Sequence, residues 1–410
     1  MKVLVSAYAC EPGRGSEPGI GWDHVCQTAL HHDVWMITRS NNRTAIEKAL
    51  ARDPITSLRC VYFDLPYWVR FWKVGQRGIN VYYYLWQIGS YLMAHELHQQ
   101  VKFDLSHHVT FGNYWRPTLL PLLPIPFIWG PVGGGESTPP GFHRAFSMRG
   151  RVYEALRDYA RKLGELDPFV RLAARRSVAA LATTSQTEER LLALGCRKVA
   201  VCAQSGLAAE ELVKLMALPL RQGNPFRVLS LGRHLHWKGF GLGLRAFARF
   251  HALFPESEYW LIGDGPERKR LERLGRELGF KGRVVFWGAL PRTQALEKIV
   301  QCDVLLHPSL HDSSPMVAVE AMAAGRPVVC LDLGGPGLQV TPETGIKVPP
   351  NSPEQVVEDL ATALFELAQD SIRRIRLGGA GRRRIQEAFS WKAKGELMNQ
   401  IYLEVFNGHD

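Results

Sequence analysis

The chain has 410 residues, and its 46% apolar content is enough for two packed domains. It has no run of eighteen or more apolar residues, and its N-terminus turns polar too soon for a secretory signal, so we expect a cytoplasmic protein without a membrane span. Seven cysteines without CxxC pairs argue against a disulfide framework and a zinc site, and indicate reduced thiols.

The formal charge of +11 is uneven, because about +8 of it belongs to residues 1–205. A basic excess suits nucleic acid, an anionic membrane or a phosphorylated small molecule, and it also serves simple solubility. The charge by itself does not choose among these partners.

Short apolar runs in the first half alternate with longer helix-like stretches, which predicts a parallel α/β sheet. The predicted strands are KVLVSAY (2–8), DVWMITR (33–39), DLSHHV (104–109), PFIWG (126–130) and ALATTS (180–185).

After a looser region near 204–226, the same alternation starts again and predicts a second α/β domain. Its predicted strands are RVLSLGR (227–233), YWLIGDG (259–265), VVFWGAL (284–290), DVLLHPS (303–309) and PVVCLD (327–332). We therefore predict two doubly wound, Rossmann-like domains that face a cleft, at 1–205 and 206–387. A helix at 388–410 is predicted to cross back onto the first domain.

A pair of cations follows the first strand of the second domain. In LGRHLHWKGF (231–240), Arg233 and Lys238 lie five residues apart around a turn, so both can reach one anion. A planar guanidinium and a compact ammonium together suit a diphosphate, although basic residues after a strand are more often solvated.

Two acids flank the start of a predicted short helix at 315–324. Ser313, Ser314 and Pro315 are typical of a helix N-terminus, whose unpaired N–H groups can hold phosphate oxygens. Asp312 precedes the helix and Glu320 lies within it, so both can accept hydrogen bonds from sugar hydroxyls. The alternative is that Asp312 is only a cap-region acid and Glu320 a paired surface residue.

These motifs resemble the donor domain of family 4 retaining glycosyltransferases of the GT-B fold, also called glycosyl transferases group 1. GRHLHWKG, IGDGP, VVFWGAL and the stretch from Asp312 through EAMAAGRPVV occur here in that family's order. The resemblance extends over most of the chain and is most specific in the second half. One position differs, because Asp312 stands where the family usually has glutamate.

The resemblance implies a role for each matching residue. The catalytic residues it implies are Arg233, Lys238, Glu320 and His107. The donor-binding residues it implies are Gly15, Ser16, Arg233, Lys238, Phe286, Trp287, Asp312, Ser313, Pro315, Met316, Val317 and Glu320. The acceptor-side residues it implies are Glu17, His108, Gly134 and Glu136.

Two of these implied roles have structural alternatives. His107 and His108 point to opposite faces of a strand, so one of them is expected to be a core residue. The glycine run before Glu136 is also compatible with a simple turn.

The expected activity is transfer of a hexose from a UDP- or GDP-sugar to an acceptor hydroxyl with retention, in cell-surface polysaccharide or glycolipid synthesis. No metal or other cofactor is expected, and the acceptor is a sugar or a lipid-linked sugar. One alternative is a sugar-nucleotide epimerase or phosphorylase on the same fold. An alternative of another class is a basic nucleic-acid-binding protein, which explains the charge but not the acids and glycines. We therefore expect no nucleic-acid partner.

The segment 66–86 interleaves aromatic and basic residues. The aromatic residues are Tyr67, Trp68, Phe71, Trp72, Tyr82, Tyr83, Tyr84 and Trp86, and the basic residues are Arg70, Lys73 and Arg77. This pattern predicts peripheral binding to an anionic membrane on its inner face, with a domain core as the alternative.

Overall fold

The computed structural model describes residues 1–73, 75, 77–219, 221, 223–280 and 282–408. The chain divides into two compact units, each built on one parallel sheet. Unit 1 contains Met1–Gly135, Arg157–Gln204 and Trp391–Asp410, although the last two positions of the chain lie outside the described residues. Unit 2 contains Glu136–Leu156 and Ser205–Ser390.

Unit 1 is formed around a seven-stranded sheet whose order is β3-β2-β1-β4-β5-β6-β7. Its strands are β1 Lys2–Ser6, β2 Asp33–Arg39, β3 Leu58–Phe63, β4 Leu105–His108, β5 Phe127–Val132, β6 Ser177–Ala182 and β7 Val199–Val201. Unit 2 is formed around a six-stranded sheet whose order is β10-β9-β8-β11-β12-β13. Its strands are β8 Phe226–Leu231, β9 Ser257–Ile262, β10 Val284–Gly288, β11 Val304–His307, β12 Val328–Leu331 and β13 Gly345–Val348.

Helices connect the strands of each sheet. They are α1 Glu17–Ala29, α2 Arg43–Arg52, α3 Tyr67–Arg70, α4 Ile79–Val101, α5 Met148–Leu166, α6 Pro168–Arg176, α7 Ser185–Leu194, α8 Ala209–Met216, α9 Phe240–Leu253, α10 Arg268–Glu277, α11 Arg292–Val300, α12 Met316–Ala323, α13 Gly334–Gln339, α14 Pro353–Gln369, α15 Ser371–Arg384 and α16 Trp391–Asn407. Within the described ranges, no helix is long and apolar enough to cross a membrane.

Both sheets are parallel and reverse their strand order once, between β1 and β4 in unit 1 and between β8 and β11 in unit 2. The central strands β5, β11 and β12 are fully buried because crossover helices cover both faces of such a sheet. In doubly wound sheets, ligands bind beyond the carboxyl ends of the strands at the point of reversal.

The predicted domain limits differ from the two units mainly in one segment, apart from shifts of one to three residues at the other boundaries. The prediction assigned all of residues 1–205 to the first domain, whereas Glu136–Leu156 groups with unit 2. The physical reason is that Glu136 and Glu154 hydrogen-bond to loops of that unit. The C-terminal helix α16 groups with unit 1, where it packs on α1.

Candidate functional site

The loop after β8 carries the two predicted diphosphate ligands. Arg233 is exposed directly beyond the strand, and Lys238 closes a short 3-10 turn. Gly239 has φ of 66°, and a Cβ there would lie 1.9 Å from the carbonyl oxygen of Pro308. Glycine is therefore required at this position, and it brings Lys238 against the loop that follows β11.

Lys238 contacts the first predicted acid. Its Nζ lies 2.5 Å from Oδ2 of Asp312, and Nε2 of His307 lies 3.0 Å from the same oxygen. Burial by itself would raise the pKa of the Asp312 carboxyl, but Lys238 and His307 outweigh it and hold that pKa well below its usual range. Burial lowers the pKa of His307, so the neutral imidazole donates to an ionised carboxylate.

The helix that follows Asp312 begins one residue later than predicted. Its N-cap is Pro315, and among the described residues no side chain caps its first turn. Ser313 and Ser314 do not act as the predicted caps, because their hydroxyls bond to Glu136 and to Ser205. The backbone N–H groups at the start of the helix are thus left for another acceptor, as an anion site requires.

The second predicted acid, Glu320, is buried inside α12. Its Oε1 lies 2.6 Å from Nη1 of Arg292, and Nη2 of the same arginine lies 2.7 Å from Oε1 of Glu211. Burial raises the pKa of Glu320, and Arg292 opposes part of that increase. Arg292 gives no recognisable signal in the sequence, since it resembles the many solvated arginines at helix ends. The predicted surface alternative for Glu320 does not hold, because only 4% of the residue is exposed.

The predicted base-binding loop lies at the carboxyl end of β10. Phe286 packs against the core of unit 2, whereas Trp287 is 37% exposed. The Trp287 ring meets Trp260 edge-on at 5.5 Å and has Nζ of Lys298 at 3.9 Å from its centroid. Trp287 thus offers the accessible aromatic surface of this loop.

Glu136, predicted on the acceptor side, is held by a contact within unit 2. It is almost fully buried in unit 2, where its Oε2 accepts a 2.8 Å hydrogen bond from Ser313. Gly134, in unit 1, has φ of 93°, and its carbonyl oxygen accepts from Arg157 at 3.2 Å. The carboxylate of Glu136 supports the loop that contains Asp312, and its acceptor-side role stays a prediction.

A buried carboxylate joins the two loops that carry Lys238 and Asp312. Oε1 of Glu154 lies 2.7 Å from Nε2 of His236 and 3.1 Å from Nε2 of His311. One histidine precedes Lys238 and the other precedes Asp312, so Glu154 fixes both loops at once. The helical pattern of the sequence does not single out Glu154, because its partner His236 lies 82 positions away in the chain.

The first loop of unit 1 is ordered by Glu17. Its Oε1 accepts a 2.8 Å hydrogen bond from the backbone N–H of Gly112, in the loop after β4. Ser16 has φ of 68°, which is strained for a residue with a side chain, and Gly13 has the same φ. Positive φ thus occurs in this loop on either side of Gly15.

Both histidines of β4 are buried in unit 1. His107 has Nδ1 at 2.6 Å from the Tyr402 hydroxyl and Nε2 at 2.6 Å from the Gly130 carbonyl oxygen. Burial lowers its pKa to about 4. His108 faces the other side of the sheet, with Nε2 3.3 Å from the Tyr83 hydroxyl. Both His107 nitrogens thus have partners within unit 1, and the predicted contact of His107 with a sugar stays a prediction.

The predicted absence of a metal remains an expectation. In the part of the chain that the structure describes, no group of three or more His, Cys, Asp or Glu side chains is arranged to hold a metal ion. The seven cysteines are free thiols.

Comparison with known proteins finds one family profile that matches the second half of the chain. Residues 216–383 match the profile of Glycosyl transferases group 1. A 126-residue segment is 36% identical to 2-deoxystreptamine glucosyltransferase from Streptomyces kanamyceticus, covering 31% of this chain and 32% of that protein. A 183-residue segment is 32% identical to the lipopolysaccharide core biosynthesis glycosyltransferase LpsD from Rhizobium meliloti, covering 44% and 49%.

The similarity to solved structures extends over the whole chain. The structure of HepE from Anabaena, in complex with UDP and glucose, superposes with a TM-score of 0.63 over 98% of this chain and 100% of that one, at 18% identity. At this identity the match establishes the fold. The matched segments cover about a third to a half of the length of the two curated relatives. The chain therefore carries the glycosyl transferases group 1 domain over residues 216–383 and has the GT-B fold.

Proposed function

We propose that the chain is a retaining, metal-independent hexosyltransferase. It transfers a sugar from a UDP- or GDP-sugar to an acceptor hydroxyl in the synthesis of a cell-surface polysaccharide or glycolipid. The observation that carries the proposal is the contact of Lys238 with Asp312 beside the uncapped first turn of α12. This arrangement places a cation, a carboxylate and free N–H groups between β8 and β11, the point at which the strand order of the sheet reverses.

The proposed chemistry uses charge stabilisation. When the bond between the anomeric carbon and the diphosphate breaks, negative charge grows on the leaving diphosphate oxygen. Arg233, Lys238 and the N–H groups of α12 would stabilise that charge, which lowers the barrier most if they are already in place. The acceptor hydroxyl would attack the same face of the sugar, and its proton would pass to the departing phosphate oxygen.

The carboxylates would orient the donor. Asp312 is ionised and fixed by two donors, so it can accept hydrogen bonds from sugar hydroxyls without a rearrangement of its own. Glu320 would accept from ribose hydroxyls, in competition with Arg292. The proposal of a nucleotide-sugar donor is further supported by HepE, whose solved complex contains UDP and glucose. The polysaccharide or glycolipid context is supported by the similarity to a lipopolysaccharide core glycosyltransferase.

Peripheral membrane binding is a second part of the proposal. The aromatic residues of 66–86 separate into two groups, because Tyr82, Tyr83 and Trp86 are core residues, whereas Trp68 and Phe71 are 76% and 66% exposed. The exposed rings, with the exposed Arg77 nearby in sequence, suit the headgroup layer of an anionic membrane.

Vesicle flotation tests this part. Binding to phosphatidylglycerol vesicles should fall with salt and in Trp68→Ala and Arg77→Glu variants, while an exposed control, Lys48→Glu, should bind as the wild type does. Equal recovery of the protein with neutral and anionic vesicles would contradict membrane binding and favour a water-soluble acceptor.

A product screen tests the proposed activity. The chain is incubated with a panel of nucleoside diphosphate sugars, with and without sugar acceptors, and the released nucleoside diphosphate is measured. Release that depends on acceptor, with a glycoside as product, supports the transferase. Conversion of the sugar without acceptor would instead support an epimerase.

A further inference from the structure

A cluster of cations and aromatic rings in unit 1 has no role in the donor chemistry. Arg39 ends β2, and its Cζ lies 5.0 Å from the Tyr8 ring centroid and 5.2 Å from that of Tyr82. Nζ of Lys73 lies 4.8 Å from the centroid of the same Tyr82 ring. Two cations from different segments are thus held on one ring.

A third cation, Arg116, lies against another ring of the same aromatic cluster. Cζ of Arg116 lies 4.0 Å from the centroid of Phe111, and that ring lies 4.8 Å from Tyr8. Tyr8, Arg39 and Phe111 follow or end β1, β2 and β4, whose carboxyl ends adjoin at the reversal of strand order in this sheet. The cluster therefore occupies the place where a doubly wound sheet binds its ligand.

The carboxylates of Asp64 and Glu17, whose charges act on this cluster, already have other partners. Asp64 pairs with Arg70 at 2.9 Å, and Glu17 accepts the backbone N–H of Gly112. Burial, and then the neighbouring charge of Arg39, lowers the pKa of Lys73. Like charges held close together in this way favour the binding of an anion between them.

Two buried polar atoms of the cluster also lack a partner. Among the described residues, nothing hydrogen-bonds to the hydroxyl of Tyr82, which is fully buried, or to Nε of Arg39. Buried polar groups are rarely left in this state unless a ligand or water satisfies them. Phe111 has φ of 68°, and such backbone strain is concentrated at functional sites.

We propose that Arg39, Lys73, Arg116 and the Tyr82 hydroxyl bind a phosphate group carried by the acceptor. This inference rests on the proposed function and names its acceptor class, a phosphorylated sugar or a sugar attached to a lipid phosphate. The three cations match the charge of the phosphate, and the hydroxyl supplies one further donor. The partly exposed ring of Phe111 would lie beside the sugar ring.

Binding of glucose 6-phosphate, measured by calorimetry on the full chain, tests the site. Since a charge-assisted hydrogen bond contributes roughly tenfold or more in affinity, Arg39→Gln and Lys73→Gln should each weaken binding about that much. Tyr82→Phe should weaken it about threefold without lowering the melting temperature, because the hydroxyl has no partner in the described part of the protein to lose. Lys48→Gln, which removes an exposed charge elsewhere in unit 1, is the matched control.

A second control separates this site from the donor site, which also binds phosphate groups. Lys238→Met should leave glucose 6-phosphate binding unchanged; loss of binding in Lys238→Met but not in Arg39→Gln would overturn the proposal. Equal affinity in all variants would overturn it as well. Binding of UDP-glucose should persist in Arg39→Gln, so a failure of the donor proposal and a failure of this one give different results.

Vesicles distinguish the two sources of the phosphate. If binding to phosphatidylglycerol vesicles also depends on Arg39, the acceptor phosphate belongs to a lipid. If only glucose 6-phosphate binding depends on Arg39, the acceptor is a free sugar phosphate. If neither depends on Arg39, the site does not exist.

Discussion

Replacement of Lys238 by methionine separates a catalytic role of the lysine from a structural one. The substitution keeps most of the side-chain volume and removes the ammonium that contacts Asp312 at 2.5 Å. In the proposed mechanism, the lost group stabilises charge on the leaving diphosphate, and the loss of one such group lowers turnover by about 10²-fold or more. Lys269→Met, at an exposed lysine of the same unit, should retain normal turnover.

The effect on stability follows from the geometry of the pair. The two side chains are 15% and 19% exposed, so the contact is mostly shielded from water. Losing a charge-assisted hydrogen bond in such a place costs about 2 kcal/mol, and His307 remains to hold Asp312. For a unit of this size, that cost lowers the melting temperature by roughly 4 to 8 °C.

A double variant then decides between the two roles. In the Lys238→Met variant, the Asp312 carboxylate loses its cation, and Asp312→Asn removes that unpaired charge. The double variant should therefore recover most of the stability, while its turnover should stay at least about 10²-fold below that of the wild type. Thermal unfolding and initial rates of nucleoside diphosphate release are measured on the same preparations. If turnover recovers together with stability, Lys238 serves only as a partner for Asp312, and the reasoning is refuted.

Four further outcomes are expected. Arg233→Ala should lower turnover about 10²-fold with little change in melting temperature, since the side chain is exposed, and near-normal turnover would exclude its role. Glu154→Gln should raise the donor KM and lower the melting temperature, because two histidines lose the carboxylate that they share; an unchanged KM would show that Glu154 does not position the loops. Tyr402→Phe should cost about 1 kcal/mol of unfolding free energy with unchanged kcat, and a large loss of kcat would support the catalytic role predicted for His107. The pKa of His107 falls from 6.5 to about 4 on folding, so between these pH values the unfolded chain binds more protons than the folded one. The free energy of unfolding should therefore fall as the pH is lowered from 6.5 to 4, and His107→Gln should make that dependence on pH shallower. An unchanged dependence in the variant would contradict the contribution of His107.

The sequence predicted the strands and the helix near the donor site because their signals are local. VLLHPS and PVVCLD are apolar runs that end in small or polar residues, and the structure has strands at Val304–His307 and Val328–Leu331. The strand Leu58–Phe63 was not predicted, because Arg59 interrupts its apolar run. Gly345–Val348 is short and half-polar, and it was missed for the same reason.

Contacts between distant parts of the chain could not be predicted. The strand period indicates that His107 and His108 face opposite ways, but the partner of His107 is Tyr402, 295 residues later. In the same way, Glu136 meets Ser313 across 177 positions, so its place in unit 2 depends on the fold and not on its own loop. Such pairings are decided by tertiary packing, which a single sequence does not contain.

The most direct test of the account is a transfer assay with a panel of UDP- and GDP-sugars and a sugar acceptor, in which NMR follows the anomeric configuration of the product. We predict one donor whose nucleoside diphosphate is released only with acceptor, and a glycoside with the same anomeric configuration as the donor. A product of inverted configuration would contradict the proposed mechanism. Absence of binding and turnover with every nucleotide-sugar would contradict the central claim that this site takes a nucleoside diphosphate sugar.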